Sequence, residues 1–108
     1  MGKILSIYKD NVDKVWYNSS NIVYSECIDN RDALKEVKVV FKNGNEYSYL
    51  DVKVQDYLMF REDASQGKAL NKFLKQYEYK KHEEKRDLEL LKEELENNLE
   101  IAKQTLKK

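Results

Sequence analysis

The chain has 108 residues, with 20 Lys and Arg against 20 Asp and Glu, so its formal net charge is zero, and it contains no proline, one cysteine and one histidine. This length predicts one small domain. No run reaches the ~18 apolar residues of a membrane span, and the first residues lack the apolar core of a signal peptide. One cysteine excludes an internal disulfide and, beside one histidine, the usual zinc sites. We therefore expect a cytoplasmic protein with no cofactor and no membrane partner, whose overall field does not attract nucleic acid.

The first third of the sequence is typical of short strands separated by polar turns. Apolar and polar residues alternate over Lys3–Tyr8, a short aromatic segment follows at Val15–Tyr17, and another strand-like segment is Ile22–Cys27. We expect three strands here. Turn-forming residues follow each of them, at Asp10-Asn11, at Asn18–Asn21 and at Asp29–Asp32.

A β-hairpin is the strongest local signal in the sequence. Apolar residues alternate at Val37, Val39 and Phe41, and Asn43-Gly44 is typical of a two-residue type I′ turn. Such a turn fixes the register, because side chains alternate between the two faces of a strand.

The two-residue turn predicts two different hairpin faces. It places Val40 opposite Tyr47 and Lys38 opposite Tyr49, with Lys42 on the same side. We expect this face to carry tyrosines beside lysines. The other face is predicted to be core, and it would carry Val37, Val39, Phe41, Ser48 and Leu50.

Helical patterns replace strand patterns after Asp51. A first helix of two or three turns is predicted over Val54–Arg61, and Ser65 is a candidate N-cap for a second helix. The second helix has the apolar spacing expected for packing on a sheet. The residues with this spacing are Leu70, Phe73, Leu74 and Tyr77.

The C-terminal part has the composition of a long helix. Residues 79–86 are nearly all polar but contain no helix breaker. A helix that continued from Lys68 would be roughly 60 Å long, about twice the diameter of the domain. An apolar stripe follows with spacings of three and four residues, and its leucines are Leu88, Leu91, Leu95, Leu99 and Leu106.

The stripe has three interpretations, which are self-association as a dimer, packing back onto the domain, and contact with another protein. The expected fold class is α+β, with a small antiparallel sheet and a central hairpin, packed by two short helices and followed by a long C-terminal helix that overhangs the domain. The expected divisions are an N-terminal strand segment at 1–18, a domain at 19–79 and an oligomerisation helix at 80–108.

The sequence lacks the usual marks of an enzyme. Its three glycines are isolated, so no phosphate-binding loop is present. The only candidate base for Cys27 is His82, which falls in a polar stretch, and a buried, inert thiol is the alternative interpretation. Carboxylate pairs such as Asp29 and Asp32 are typical of turns. We expect a protein that is not an enzyme.

Five short motifs follow one another between about Ser19 and Lys80. They are Ser19-Ser20-Asn21-Ile22, the VFKNG segment, Tyr47-Ser48-Tyr49, Ala64-Ser65-x-Gly67-x-x-x-Asn71 and Tyr77-x-Tyr79. In order and spacing they resemble the KTSC domain, which is named for its occurrence at the C-terminus of some lysyl-tRNA synthetases and also occurs in small bacterial and phage proteins. The resemblance implies a compact α+β unit with a central Tyr-x-Tyr, for which RNA binding is the usual suggestion.

Tyr47 and Tyr49 are the candidate binding residues. They lie two apart on a strand, so both rings point to one face and can stack on unpaired RNA bases or on a nucleotide. The alternative is that both tyrosines are core residues on which the second helix packs. Lysines close to them in the hairpin or in sequence would meet phosphates. These are Lys38, Lys42, Lys68 and Lys72.

A protein–protein interaction module is the competing function. It would dimerise through its tail and present a surface to a host protein, as a phage or mobile-element protein that modulates a host protein or defence system. RNA titration and light scattering distinguish the two functions.

Overall fold

The protein, in a computed structural model that describes residues 2–29 and 34–106, is a six-stranded antiparallel sheet with helices on both faces. This confirms the predicted α+β class. The strands, in chain order and also in spatial order, are β1 (Gly2–Lys9), β2 (Val12–Asn18), β3 (Ile22–Ile28), β4 (Leu34–Phe41), β5 (Glu46–Lys53) and β6 (Tyr79–Lys81). The helices are α1 (Val54–Glu62), α2 (Gln66–Ala69), which continues as a π-helical turn (Leu70–Leu74), and α3 (Leu88–Leu106).

Each strand pairs with the next one along the chain, so short turns connect the sheet. Between β1 and β2, Asp10 and Asn11 have φ values of 53° and 64°. Two successive residues with positive φ are typical of a type I′ turn, which matches the right-handed twist of paired strands. The turn predicted there is confirmed, whereas most of the one predicted at Asp29–Asp32 lies outside the described residues.

The predicted hairpin register is wrong by one residue. The loop between β4 and β5 has three residues, because the N–H of Phe41 donates to the carbonyl of Asn45 (2.8 Å) and the N–H of Gly44 donates to the carbonyl of Phe41 (2.9 Å). Gly44 closes the loop with a φ of 92°, a conformation that glycine adopts without strain.

The extra loop residue moves the tyrosines to the other face. Tyr47 lies opposite Val39, and Tyr49 lies opposite Val37. Both tyrosines therefore belong to the aliphatic face of the hairpin, and Lys38 points to the opposite face. The predicted face that pairs tyrosine with lysine does not exist in the described hairpin.

The sheet buries both of its faces. On the first face, α1, α2 and the π-helical turn cover a core of buried side chains that includes Tyr49, Tyr57 and Phe60. On the second face, α3 covers a smaller cluster built from Trp16, Tyr24 and Val40. The central strands β2, β3 and β4 therefore carry apolar residues on both sides.

The first two helices lie where the sequence predicts them, but the second ends at Leu74, so Tyr77 of the predicted stripe follows it. α1 has nine residues and buries Tyr57 and Phe60. Ser65 precedes α2, as predicted, but its side chain makes no capping hydrogen bond. In the π-helical turn, Leu70 and Leu74 are buried on the sheet.

The helix predicted for 80–108 begins only at Leu88, and no continuous helix runs from Lys68. The chain leaves the helical conformation after Leu74, and β6 pairs with β5 before α3 begins at Leu88. Hydrogen bonds to the sheet replace those of a helix, since the N–H of Leu50 donates to Glu78 O (2.8 Å) and that of His82 donates to Glu46 O (2.9 Å). Pairing with a sheet edge outweighs helix propensity here.

The first half of the leucine stripe packs on the second face of the sheet. Leu91 is buried there, and Leu88 and Leu95 are half-buried against the same cluster. Leu99 is half-buried outside that cluster, and the side chain of Leu106 lies outside the described residues. The N-terminal half of α3 therefore packs on the sheet, and its C-terminal half extends beyond this cluster.

No helix in the described part of the chain is long and apolar enough to cross a membrane.

Candidate functional site

A cavity of about 550 Å³ lies on the first sheet face, between the β4–β5–β6 end of the sheet and the π-helical turn. We call it the cleft. Its volume is within the range of small-molecule pockets, about 300–1,000 Å³. All five motifs that resemble the KTSC domain contribute lining residues, among them Ser20, Phe41, Tyr49, Gly67 and Tyr79.

Four aromatic rings form one wall of the cleft. Tyr47 lies in the middle, with its ring centroid 5.3 Å from that of Phe41 and 5.7 Å from that of Tyr79. Tyr49 lies 5.8 Å from Tyr79 and is only 4% exposed, whereas Tyr79 is 58% exposed. Tyr49 is thus a core residue at the floor of the cleft, whereas Tyr47 and Tyr79 leave more of their ring surface open to the cleft.

Tyr49 adds no negative charge to the wall near neutral pH. Burial raises the pKa of its phenol to about 12, and the neighbouring Tyr47 and Tyr79 contribute to this rise. Aromatic rings in such an arrangement can accept a further flat ring by stacking.

Three asparagines line the cleft. Asn43 accepts the N–H of Asn45 (3.0 Å), whereas the side-chain amides of Asn21 and Asn71 make no hydrogen bond within residues 2–29 and 34–106. The Asn21 amide lies against α2 at Gly67, where an added Cβ atom would be only 2.7 Å from its Nδ2 atom. The absence of a side chain at Gly67 therefore makes the room that the Asn21 amide occupies.

The charge at the cleft is positive. Lys42 and Lys75 line it, neither forms an ion pair in the described part of the chain, and its described lining includes no Asp or Glu. Lys75 directly follows the π-helical turn, which ends at Leu74. Such turns are frequent at functional sites.

The structure brings together only part of the predicted binding set. Tyr47, Tyr49 and Lys42 line the cleft. Lys38 lies on the other face of the sheet, because of the register correction. The remaining two predicted lysines, Lys68 and Lys72, belong to the helical segment but do not line the cleft.

Several lining residues were not predicted as binding residues. The aromatic Phe41 and Tyr79 and the polar Asn21, Asn71 and Lys75 come from separate segments. The signal for most of them was present in the motifs of the KTSC resemblance. Hydrophobic periodicity alone could not reveal them, because these residues share only their position in the folded chain.

A second polar cluster lies on the opposite face of the sheet, around Arg86. Its guanidinium donates to Glu46 (Nη1 to Oε2, 2.6 Å) and to Glu26 (Nη2 to Oε1, 2.9 Å), and it lies over the ring of Tyr24 at 5.3 Å from the centroid. Burial by itself raises the pKa of Glu26, but hydrogen bonds from Tyr24 and Arg86 outweigh it and lower the pKa overall. The cluster fastens the segment before α3 to the sheet.

His82 joins this cluster through Ser48. Its Nε2 atom is 2.7 Å from Ser48 Oγ, and its Nδ1 atom is 3.9 Å from Glu46 Oε1. The order Ser, His, Glu resembles a hydrolytic triad. However, 3.9 Å is too long for a hydrogen bond, Ser48 is buried, and Arg86 already binds the Glu46 carboxylate. The arrangement is that of a structural contact.

Cys27 and His82 do not form a dyad. Cys27 is buried in the core of the first sheet face, whereas His82 contacts Ser48 on the second. Burial raises the pKa of the Cys27 thiol to about 12, with nearby Asp13 as a smaller cause. The described residues also contain no group of three or more His, Cys, Asp or Glu side chains that could hold a metal ion.

Comparison with protein-family models, with curated proteins and with solved structures gave no match to this chain, so the resemblance to the KTSC domain stays a prediction from its motifs.

Proposed function

We propose that this protein is a non-enzymatic, KTSC-like binding module whose cleft holds an unpaired nucleobase together with its phosphate. The ligand is a free nucleotide or one residue of single-stranded RNA. The observation that carries the proposal is the combination of exposed aromatic rings with unpaired lysines in one cavity. Neither group alone would favour a nucleotide over another ligand.

The aromatic wall supplies a stacking surface. Tyr79 and Tyr47 are 5.7 Å apart and tilted by 59°, so a flat base can lie on one ring and touch the edge of the other. Stacking of a base on an aromatic side chain contributes about 1–3 kcal/mol. Every base has such a surface, so stacking supports binding without dictating sequence.

The polar side of the cleft supplies groups for the rest of a nucleotide. Amides such as those of Asn21 and Asn71 can donate to and accept from the edge of a base. The ammonium groups of Lys42 and Lys75 attract a phosphate, and no carboxylate in the described lining competes for them.

Calorimetric titration with AMP and with the single-stranded hexamer of adenylate tests the proposal. We expect binding of at least one of them, weakened about 5- to 150-fold by Tyr79→Ala, because one stacking partner is lost. Tyr8→Ala is the matched control, since Tyr8 is 59% exposed on β1 and Tyr79 is 58% exposed. Lys75→Ala should weaken binding, whereas Lys38→Ala should not.

The two ligands distinguish the source of the nucleobase. Tighter binding of the hexamer than of AMP indicates RNA, and equal affinity indicates a free nucleotide. Duplex RNA and inorganic phosphate should bind weakly, since neither offers an unstacked base. Equal loss of affinity in the Tyr79 and Tyr8 variants, or no binding of either ligand at low salt, would exclude the proposal.

Self-association through α3 is the second candidate, and we propose it for the outward side of that helix. Leu90 and Ile101 are 50% and 60% exposed and lie eleven residues apart, which places both on one side of a helix. Light scattering of wild type and of the Leu90→Glu/Ile101→Glu variant tests it. A monomer in both proteins would contradict self-association, and loss of a dimer only in the variant would support it.

A further inference from the structure

We propose that docking of α3 on the second sheet face controls the shape of the cleft on the first face. The inference rests on the proposed function for its consequence in binding, but its structural part can be measured without a ligand. The coupling runs through Tyr79–Asp87, which we call the strap. The strap connects the aromatic wall of the cleft to the first residue of α3.

The strap begins as part of the cleft. Tyr79, its first residue, stacks against Tyr47 and Tyr49. β6 has only three residues, and all three side chains are exposed. Side-chain burial therefore holds Tyr79 only weakly, and its position depends on the backbone pairing of β6 with β5 and on the attachment of the later strap residues.

The middle of the strap supports a second part of the cleft, the β4–β5 loop. The N–H of Arg86 donates to the carbonyl of Gly44 (2.8 Å). The Cβ atom of Lys85 also lies 3.3 Å from the position of an added Cβ on Gly44. Gly44 follows Lys42 and Asn43, which line the cleft. The strap thus packs against the loop that positions one of the two lysines at the cleft.

The end of the strap is fastened to the sheet and to α3. Arg86 binds the carboxylates of Glu46 and Glu26. Asp87 accepts the N–H of Leu90 (3.1 Å), so it caps the first turn of α3. The indole N–H of Trp16 donates to the carbonyl of Leu91 (3.0 Å), which locks that turn onto the sheet.

Through these contacts, the positions of α3, the strap and the cleft are coupled. Tyr24 links α3 to the strap, because it packs with Leu91 of α3 and lies under the Arg86 guanidinium. If α3 leaves the sheet, this packing opens, and we expect both Tyr79 and the β4–β5 loop to lose support. Binding in the cleft should therefore stabilise the docked helix, and undocking should weaken binding by the same factor, because coupling between two sites is reciprocal. A partner that captured α3 would release the ligand.

Trp16 reports docking directly. It is the only tryptophan in the chain and is buried beneath α3. In Arg86→Gln, which loses both ion pairs, we expect a red shift of its emission and faster hydrogen exchange at the amides of Gly44 and His82. AMP affinity should fall about 5-fold or more. The control is Lys92→Ala, an exposed residue of α3 outside the proposed contacts, which should change none of these.

Wild-type protein supplies the reciprocal test. Saturation with AMP should slow hydrogen exchange in the strap and in the first turn of α3. If Arg86→Gln does not fold, Leu95→Ala, which removes one half-buried contact of α3, makes the same comparison. The coupling is overturned if α3 undocks while exchange at Gly44 and His82 and the AMP affinity all stay unchanged. If wild type binds no nucleotide, the proposed function fails, and exchange at those two amides alone decides the coupling.

Discussion

At the scale of single residues, position 67 affects the stability of the fold and the shape of the cleft in opposite ways. Gly67 lies within α2, where glycine is less favourable than alanine by about 1 kcal/mol. An added Cβ atom would displace the Asn21 amide, which is the end of an exposed side chain rather than backbone. The fold can therefore accept a side chain at this position, but the cleft as described cannot.

We expect Gly67→Ala to keep or raise stability while weakening the binding of AMP about 3- to 10-fold, the equivalent of one lost hydrogen bond. Urea unfolding and calorimetric titration measure the two effects. Lys68→Ala, on the same helix but outside the cleft, is the control for both. A parallel loss of stability and affinity would indicate that Gly67 serves packing alone.

One extra residue in the β4–β5 loop explains why the candidate site could be predicted only in part. The sequence predicts a hairpin at Asn43-Gly44, but both a two-residue and a three-residue loop satisfy the same local preferences. The structure selects three residues, and this choice moves Lys38 away from Tyr47 and Tyr49. Strand existence follows from local patterns, whereas the face of each side chain depends on a loop length that those patterns do not determine.

At the scale of elements, α3 has two functionally different sides. Leu91 is buried against Trp16, Tyr24 and Val40, whereas Leu90 is half exposed. We expect Leu91→Ala to lower the free energy of unfolding by about 2–5 kcal/mol, because a buried leucine leaves a cavity. Leu90→Ala should change it by no more than about 0.5 kcal/mol. Urea unfolding monitored by Trp16 emission compares them, and equal effects would contradict the docked position of α3.

The attachment of α3 should also depend on pH. The pKa of Glu26 in the folded protein lies below the ordinary value of 4.5. A lowered carboxyl pKa contributes stability that is complete above the unfolded value and is lost as the pH falls through the folded value. We expect the free energy of unfolding to decrease below about pH 5. Glu26→Gln should remove part of this decrease, and Glu89→Gln, exposed on α3, should not. An identical pH profile in all three proteins would contradict this role of Glu26.

In the C-terminal part of the chain, composition predicts only some of the secondary structure correctly. Composition correctly indicates a helix at the C-terminus, since α3 spans Leu88–Leu106. It also predicts helix over Tyr79–Lys81, where the chain forms β6. Local propensity is a weak preference, and an open sheet edge beside these residues offers backbone hydrogen bonds that no local pattern reveals.

At the scale of the whole molecule, the zero net charge limits how strongly phosphates are attracted. Two lysines, Lys42 and Lys75, line the cleft. For single-stranded RNA, we expect the logarithm of the binding constant to fall with the logarithm of salt concentration at a slope of about −1.4, or −0.7 for each neutralised phosphate. Titration at several salt concentrations measures it. A slope of about −4 or steeper would indicate a broader basic surface than the cleft provides.

The short strand β6 also bears on how the protein behaves in concentrated solution. It covers part of β5, which would otherwise be the last strand of the sheet, and two of its three residues are Lys80 and Lys81. An uncovered strand edge is a template for pairing with other chains, and short, lysine-bearing edges resist such pairing. A shortened chain ending before Tyr79 would expose this edge of β5 beside two tyrosines. We expect that chain to aggregate, so the tail contributes to solubility as well as to the fold.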